Sequence, residues 1–148
     1  MYRHILVSTD GSRLSQKAIR TATRLAKALG ARLTGAYVIA PYQPPMYGEA
    51  VMYSPTVSPR RYREITEREA KKALAAVEIE AQASGVDSGS AMLTANSAWE
   101  GIIRAAKAKR CDLIVMASHG RRGLSGLLLG SETTKVLTHS KVPVLVCR

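Results

Sequence analysis

The feature that most restricts the fold is an alternation along the chain of short apolar runs with segments whose apolar residues return every three or four positions. "RHILVS" (Arg3 to Ser8) reads as a strand, and Thr9, Asp10, Gly11 and Ser12 behind it supply turn chemistry and a helix N-cap. Leu14, Ala18, Ala22, Leu25 and Leu29 then recur at helical spacing, and Gly30 closes that segment. "RLTGAYVIA" (Arg32 to Ala40) reads as the second strand. A second helix is predicted from Arg61 to Ala83, with Ile65, Ala73, Ala76 and Val77 on its inner side and Gly85 beyond its end. "SGSAMLT" (Ser88 to Thr94) reads as a third strand, its glycine and serines diluting the β-propensity of the apolar positions. Ser97 and Glu100 have the spacing of a capping box for a third helix, which carries Ile102, Ile103 and Ala106 and stops near Arg110. "DLIVMA" (Asp112 to Ala117) and "VPVLVC" (Val142 to Cys147) have the unbroken apolar centres of strands covered on both faces, and a helix across Ser131 to His139 separates them.

Five strands alternating with four helices in 148 residues imply parallel β units joined by right-handed crossovers, hence an open α/β sheet with helices on both faces. Such sheets bind ligands beyond the carboxyl ends of the strands, where the strand order reverses. Here that points to the loops after the first and fourth strands, "STDGS" and "ASHGRRGLSGLLLGS". The length suits one domain over 1–148. No apolar run is long enough to span a bilayer, and the N-terminus enters a strand without the apolar core and cleavage site of a secretory signal. A cytoplasmic location without membrane association is therefore expected. Cys111 and Cys147 lack metal-ligand spacing and read as reduced residues in or beside strands.

One segment breaks the alternation. From Ala40 to Arg61 the chain holds five of its six prolines and three of its six tyrosines, which suits neither a helix nor a central strand. A loop over about 41–60 has two readings: a lid or docking segment that uses Tyr42, Met46, Tyr47, Met52 and Tyr53, or plain disorder. The charge balance, 22 Lys and Arg against 11 Asp and Glu, gives a formal charge of +11 and favours anionic contacts of some kind. The cations are spread over several segments, among them Arg13, Lys17, Arg20, Arg24 and Lys27, and Arg104, Lys107, Lys109 and Arg110. Solvated helix faces are the expectation over a dedicated nucleic-acid surface.

The glycine-rich stretch after the fourth strand carries the functional signal. A phosphate cradle at a strand-to-helix turn needs backbone N–H groups facing one point, small side chains and preferably a hydroxyl at the helix start. Gly120, Gly130 and Ser131 meet those needs if the intervening loop folds back. Neither the Walker pattern nor the dinucleotide fingerprint occurs. Taken alone, the same residues also suit a tight loop with Ser131 as an ordinary helix cap.

These residues resemble the universal stress protein family, in particular its ATP-binding branch. The branch pattern G-x2-G-x9-G-[ST] is met in its second half by Gly120, nine residues, Gly130 and Ser131, while Ala117 stands at the first glycine position. "ILVSTDGS" and "DLIVMASHGRRGLSGLLLGSETTKVLTHSKVPVLV" also look like the family's first strand and C-terminal third, so that only Ala40 to Arg61 matches poorly. The resemblance implies a Rossmann-like, flavodoxin-like three-layer sandwich with sheet order 3-2-1-4-5 and ATP or AMP across the ends of strands one and four. Carried over by position, Thr9 and Asp10 fall on the adenine and ribose side, the backbone of Val38 reads the adenine edge, and Met116 and Ala117 line the sugar. Gly120, Gly130, Ser131, Glu132 and Thr133 hold phosphates, and the added methyl of Ala117 crowds the ribose. By itself Asp10 serves equally as an Asx-turn residue.

His119 has two readings, a phosphate contact or a solvent-facing ring, and Arg121 and Arg122 either clamp outer phosphates or solubilise the loop. Ser118 and Ser125 lack an orienting triad, and Asp10 with Glu132 makes a sparse metal site. The expectation is binding, with Mg2+ arriving on the nucleotide, and no efficient catalysis. The resemblance further implies a homodimer through edge strand 142–147 and a stress-response regulator or sensor with an unknown protein partner. The alternative is a family member without nucleotide binding that acts as a dimeric interaction module.

Overall fold

A computed structural model describes residues 1–44, 57–120 and 129–148. Strands β1 (His4–Ser8), β2 (Arg32–Ile39), β3 (Ser88–Thr94), β4 (Leu113–Ala117) and β5 (Val144–Cys147) alternate with helices α1 (Arg13–Leu29), α2 (Pro59–Ala83), α3 (Ala98–Ala108) and α4 (Ser131–His139). All strand pairings are parallel, in the order β3-β2-β1-β4-β5, so the chain runs outward from β1 in one direction and then returns to build the other. The expected sheet order is the observed one.

The period of two along the central strands divides the core. Ile5 and Val7 of β1, with Leu113 and Val115 of β4, pack under α1 and α2. Leu6, Ile114 and Met116 point the other way, against Ile102, Ala105 and Ala106 of α3 and Val136 of α4. Every residue of β4 is buried, as its unbroken apolar run predicts. The last strand differs from the expectation of two covered faces: β5 is half-buried, with Leu145 38% exposed, because it lies at the sheet edge.

Two helices bury part of the face that the sequence spacing predicts, Ala18 and Ala22 in α1 and Ala73 and Val77 in α2, with the stripe centred differently. In α1 the buried stripe is Ser15, Ala18, Ile19, Ala22, Thr23 and Ala26, while Leu14, Leu25 and Leu29 are half-buried at its flanks. Apart from Ile19, small residues take the centre because the helix lies close on β1 and β4, and the leucines reach around its sides. In α2, Ala70, Ala73, Leu74, Val77 and Ala81 are buried, Ala76 is half-buried, and Ile65 is exposed because the first turns extend past the sheet face. That helix also starts two residues earlier than predicted. The Ser58 side chain accepts the Arg61 N–H, and Pro59 occupies a first-turn position whose missing N–H costs nothing. Residues 59 and 60 are therefore helical and do not belong to the proline-rich loop. The rest of that predicted lid lies largely outside the described residues; at its roots the Tyr62 hydroxyl donates to Ala40 O at 2.8 Å and the Tyr42 hydroxyl to Val57 O at 3.1 Å.

Asp112 fastens the amino-terminal ends of the two central strands. Its carboxylate accepts the amides of Arg3 at 2.8 Å and His4 at 3.0 Å, and its own N–H donates to His4 O. Burial alone would raise the pKa of this carboxyl, but those backbone amides outweigh it and hold the group below the usual carboxylate range. Beside it the His4 ring, 2.7 Å from the Thr34 hydroxyl, is pushed below the ordinary histidine value, first by burial and then by Arg32. Both folded-state values are depressed, so both contributions are complete at neutral pH and are lost on acidification, His4 before Asp112. Asp112→Asn is expected to cost about 1 kcal/mol in urea unfolding at neutral pH. The gap from the parent protein should close as pH falls below the ordinary carboxylate range.

Candidate functional site

The loops leaving β1 and β4 are each tied down by hydrogen bonds, which fixes the side chains they present. After β1, Thr9 N–H extends the sheet by donating to Ala36 O at 2.9 Å, and the Thr9 hydroxyl accepts from Gly11 N and lies 3.1 Å from Ser15 Oγ. Asp10 Oδ1 accepts the Ser12 N–H at 2.9 Å, an Asx turn, and Ser12 Oγ in turn caps α1 by accepting Ser15 N–H. After β4, Ser118 N–H donates to Cys147 O at 2.8 Å. The Ser118 carbonyl then receives Gly130 N–H at 2.8 Å and the Thr133 hydroxyl at 3.0 Å, the latter also 3.1 Å from Ala117 O. The start of α4 is thus sewn to the end of β4.

A cleft of about 150 Å³ opens where these two loops meet, at the carboxyl ends of β1 and β4 and the reversal of strand order. Of the predicted binding residues, Thr9, Asp10, Val38, Met116, Ala117, Gly120, Glu132 and Thr133 line it. Gly130 and Ser131 stand at the first turn of α4 and are not among the lining residues. His119 is in the wall, its Nδ1 3.2 Å from the Ser118 hydroxyl. Arg121, Arg122 and Ser125 lie outside the described residues.

Two glycines set the walls. A methyl group at Gly120 would come within 2.9 Å of Asp10 Oδ2, so the absence of a side chain lets the two loops approach. A methyl at Gly101 in α3 would lie 2.6 Å from both Val38 methyl carbons; glycine there seats α3 directly on β2 and brings Ala98 and Ile102 into the cleft. Sequence reading missed that α3 wall, together with Ser15 and Ala36, while Ser8 belongs to the "STDGS" turn it pointed to. The register Ser8↔Ala36 places Ala36 beside the end of β1, but it becomes legible only once the strand order is known.

Glu132 serves two helices. Its Oε2 accepts the Trp99 N–H at 2.8 Å, while its own amide belongs to the first turn of α4. The capping box predicted for Ser97 and Glu100 does not form: Ser97 makes no side-chain cap bond and Glu100 is exposed. A carboxylate from the neighbouring helix, a stronger acceptor than a hydroxyl, fills that place. Trp99 stacks on His139 with ring centroids 4.8 Å apart, a second link between α3 and α4. Among the described residues no group of three or more His, Cys, Asp or Glu could hold a metal ion, and no helix is long and apolar enough to cross a membrane.

The sheet order and the position of the cleft define a doubly wound α/β protein with a pocket at its switch point. The universal stress protein family model matches residues 1–148, and the chain belongs to that family. It is 33% identical over 155 residues to the universal stress protein in the QAH/OAS sulfhydrylase 3′ region of Thermus aquaticus, a match that spans the whole of both chains. Universal stress protein UspA from Lactobacillus plantarum superposes with a TM-score of 0.77 at 25% identity, over 99% of this chain and 98% of that one. Two further structures share the fold. One is a universal stress protein in complex with cAMP (TM-score 0.69, 24% identity, 99% and 97% covered), the other an Archaeoglobus fulgidus universal stress protein in complex with dAMP (TM-score 0.72, 18% identity, 99% and 98% covered).

Glu132→Ala should lower thermal stability by about 1 kcal/mol through loss of the α3 cap, whereas Glu132→Gln, which keeps an acceptor oxygen, should recover most of it. Emission from Trp99, the one tryptophan in the chain, should shift in the alanine variant only.

Proposed function

We propose that this universal stress protein binds an adenine nucleotide, ATP or AMP, in the cleft at the ends of β1 and β4. In this reading it is a cytoplasmic regulator whose engagement of a protein partner depends on the bound nucleotide. The observation that carries the proposal is the meeting of Asp10, Val38, Met116, Ala117 and Gly120 with the first turn of α4 around one cleft. The donor set fits the parts of a nucleotide. Val38 and Met116 offer an apolar bed for a base, and the Asp10 carboxylate accepts from sugar hydroxyls. The amides of Ser131, Glu132 and Thr133 belong to a helix start, where an α-helix supplies no internal partner and anions are favoured. The Gly130 amide and the Thr133 hydroxyl are already spent on Ser118, so these two shape the cradle and do not donate through those groups. Magnesium accompanies the nucleotide. Support also comes from the two proteins of this fold that hold cAMP and dAMP.

In this reading the site binds without efficient turnover: the loop offers ground-state contacts to a nucleotide, and the Ser118 hydroxyl beside His119 is buried. The half-exposed edge of β5, with Leu145 on it, is where a second copy pairs in this proposal, covering unpaired backbone groups.

A second reading, a dimeric interaction module without nucleotide, is favoured by two specific observations. Ala117 brings a methyl group to the first glycine position of the branch pattern, and the described walls enclose about 150 Å³, below the ~300 Å³ at the lower end of small-molecule sites.

Isothermal titration with ATP, AMP and a non-adenine control separates the two. Saturation by the adenine nucleotides below millimolar concentration is expected, with Asp10→Ala weakening it at least tenfold and Ala117→Gly tightening it several-fold. No saturation at millimolar ligand would leave the interaction module as the function.

A further inference from the structure

We infer that the outer face of α1 is a binding surface for the phosphate backbone of nucleic acid, separate from the cleft. Arg13, Lys17, Arg20, Arg24 and Lys27 follow one another at intervals of four, three, four and three, and all five are exposed. Residues at that spacing form a single ridge on a helix, with neighbours about 5–6 Å apart. The ridge is about 21 Å long at 1.5 Å per residue, the length of about six nucleotide steps along one strand of a duplex.

The structure adds three facts that spacing alone does not give. First, α1 contains no acidic residue, and none of the five cations forms an ion pair among the described residues. The neighbouring α2 differs, since it interleaves its cations with Glu64, Glu67, Glu69, Glu78 and Glu80 and pairs Arg60 and Arg61 with Glu64. Second, Lys17 Nζ donates to the Arg148 main-chain oxygen at 2.7 Å, which fixes that lysine on the outer side of the helix beside the residue that follows β5. Third, the apolar side of α1 is committed to the core, where Ala18, Ile19, Ala22 and Ala26 are fully buried. No large apolar side chain is exposed on this helix. An amphipathic helix that lies in a lipid surface needs its apolar face free to enter it. A hydrophilic polyanion requires only the charges, and the charges are what α1 presents.

The test is fluorescence anisotropy of labelled duplex DNA with the full-length protein over a range of salt concentrations. Five phosphate contacts should give a slope of log affinity against log salt of about −4.5. Arg20→Gln combined with Arg24→Gln should make the slope shallower by about 2, with circular dichroism showing the helix content retained. Lys107→Gln combined with Lys109→Gln, the same change of net charge at the end of α3, should leave it unaltered. Equal losses in the two double variants would make binding a matter of net charge alone and overturn the inference. A parent slope shallower than about −2, or capture on phosphatidylserine vesicles without duplex binding, would overturn it as well. The ridge and the cleft are tested apart, because neither titration uses the other's ligand.

Discussion

The pairing of β1 with β4 is the constraint around which the molecule is arranged. Both strands lie inside the sheet and are covered on both faces, so every position along Ile5 to Val7 and Leu113 to Ala117 must be apolar and of the right size. Parallel neighbours cannot be joined by a tight turn, and each connection has to cross a face as a helix. With β1 at the centre, the first crossover carries the chain to β2 on one side and a later one carries it to β4 on the other. The loops that leave β1 and β4 part company there, and the gap between them is the cleft.

What closes the floor of that gap is the short turn around Ser118. This residue is buried, its amide continues the β4–β5 ladder, and its carbonyl takes two donors from the start of α4. Unpaired polar groups at such depth are costly, and here each has a partner. The outcome is a helix start held at a fixed distance from Asp10 and Gly120 by main-chain and hydroxyl bonds, with no reliance on exposed charge pairs. The contrast with Thr23 is instructive. Its buried hydroxyl has no partner among the described residues, and the apolar packing of α1 on the sheet carries that cost.

Much of this was legible in the sequence. The unbroken run in Leu113–Ala117, the turn residues after Ser8 and the glycine at 120 were enough to place the cleft, because α/β sheets have one characteristic position for it. The details that escaped depend on approach distances. The leucines of α1 outrank its alanines and Ser15 on any hydrophobicity scale, yet close packing on the sheet gives the centre, Ile19 apart, to small residues. Ser97 and Glu100 had the spacing of a capping box, but Glu132, thirty-three residues from Trp99 in the chain, supplies the acceptor instead. Local pattern cannot register a partner that arrives through tertiary structure. The wall formed by Ala98 and Ile102 was hidden for the same reason, since it depends on Gly101 lying against Val38.

Glu132 also gives the two helices on that face a shared hinge pin. Its main chain begins one helix and its carboxylate completes the other, so α3 cannot tilt away from α4 without stripping its own first turn of an acceptor. Any widening of the pocket on this side therefore favours the pair swinging as one slab over the sheet, with Trp99 and His139 travelling in register, over either helix peeling off alone.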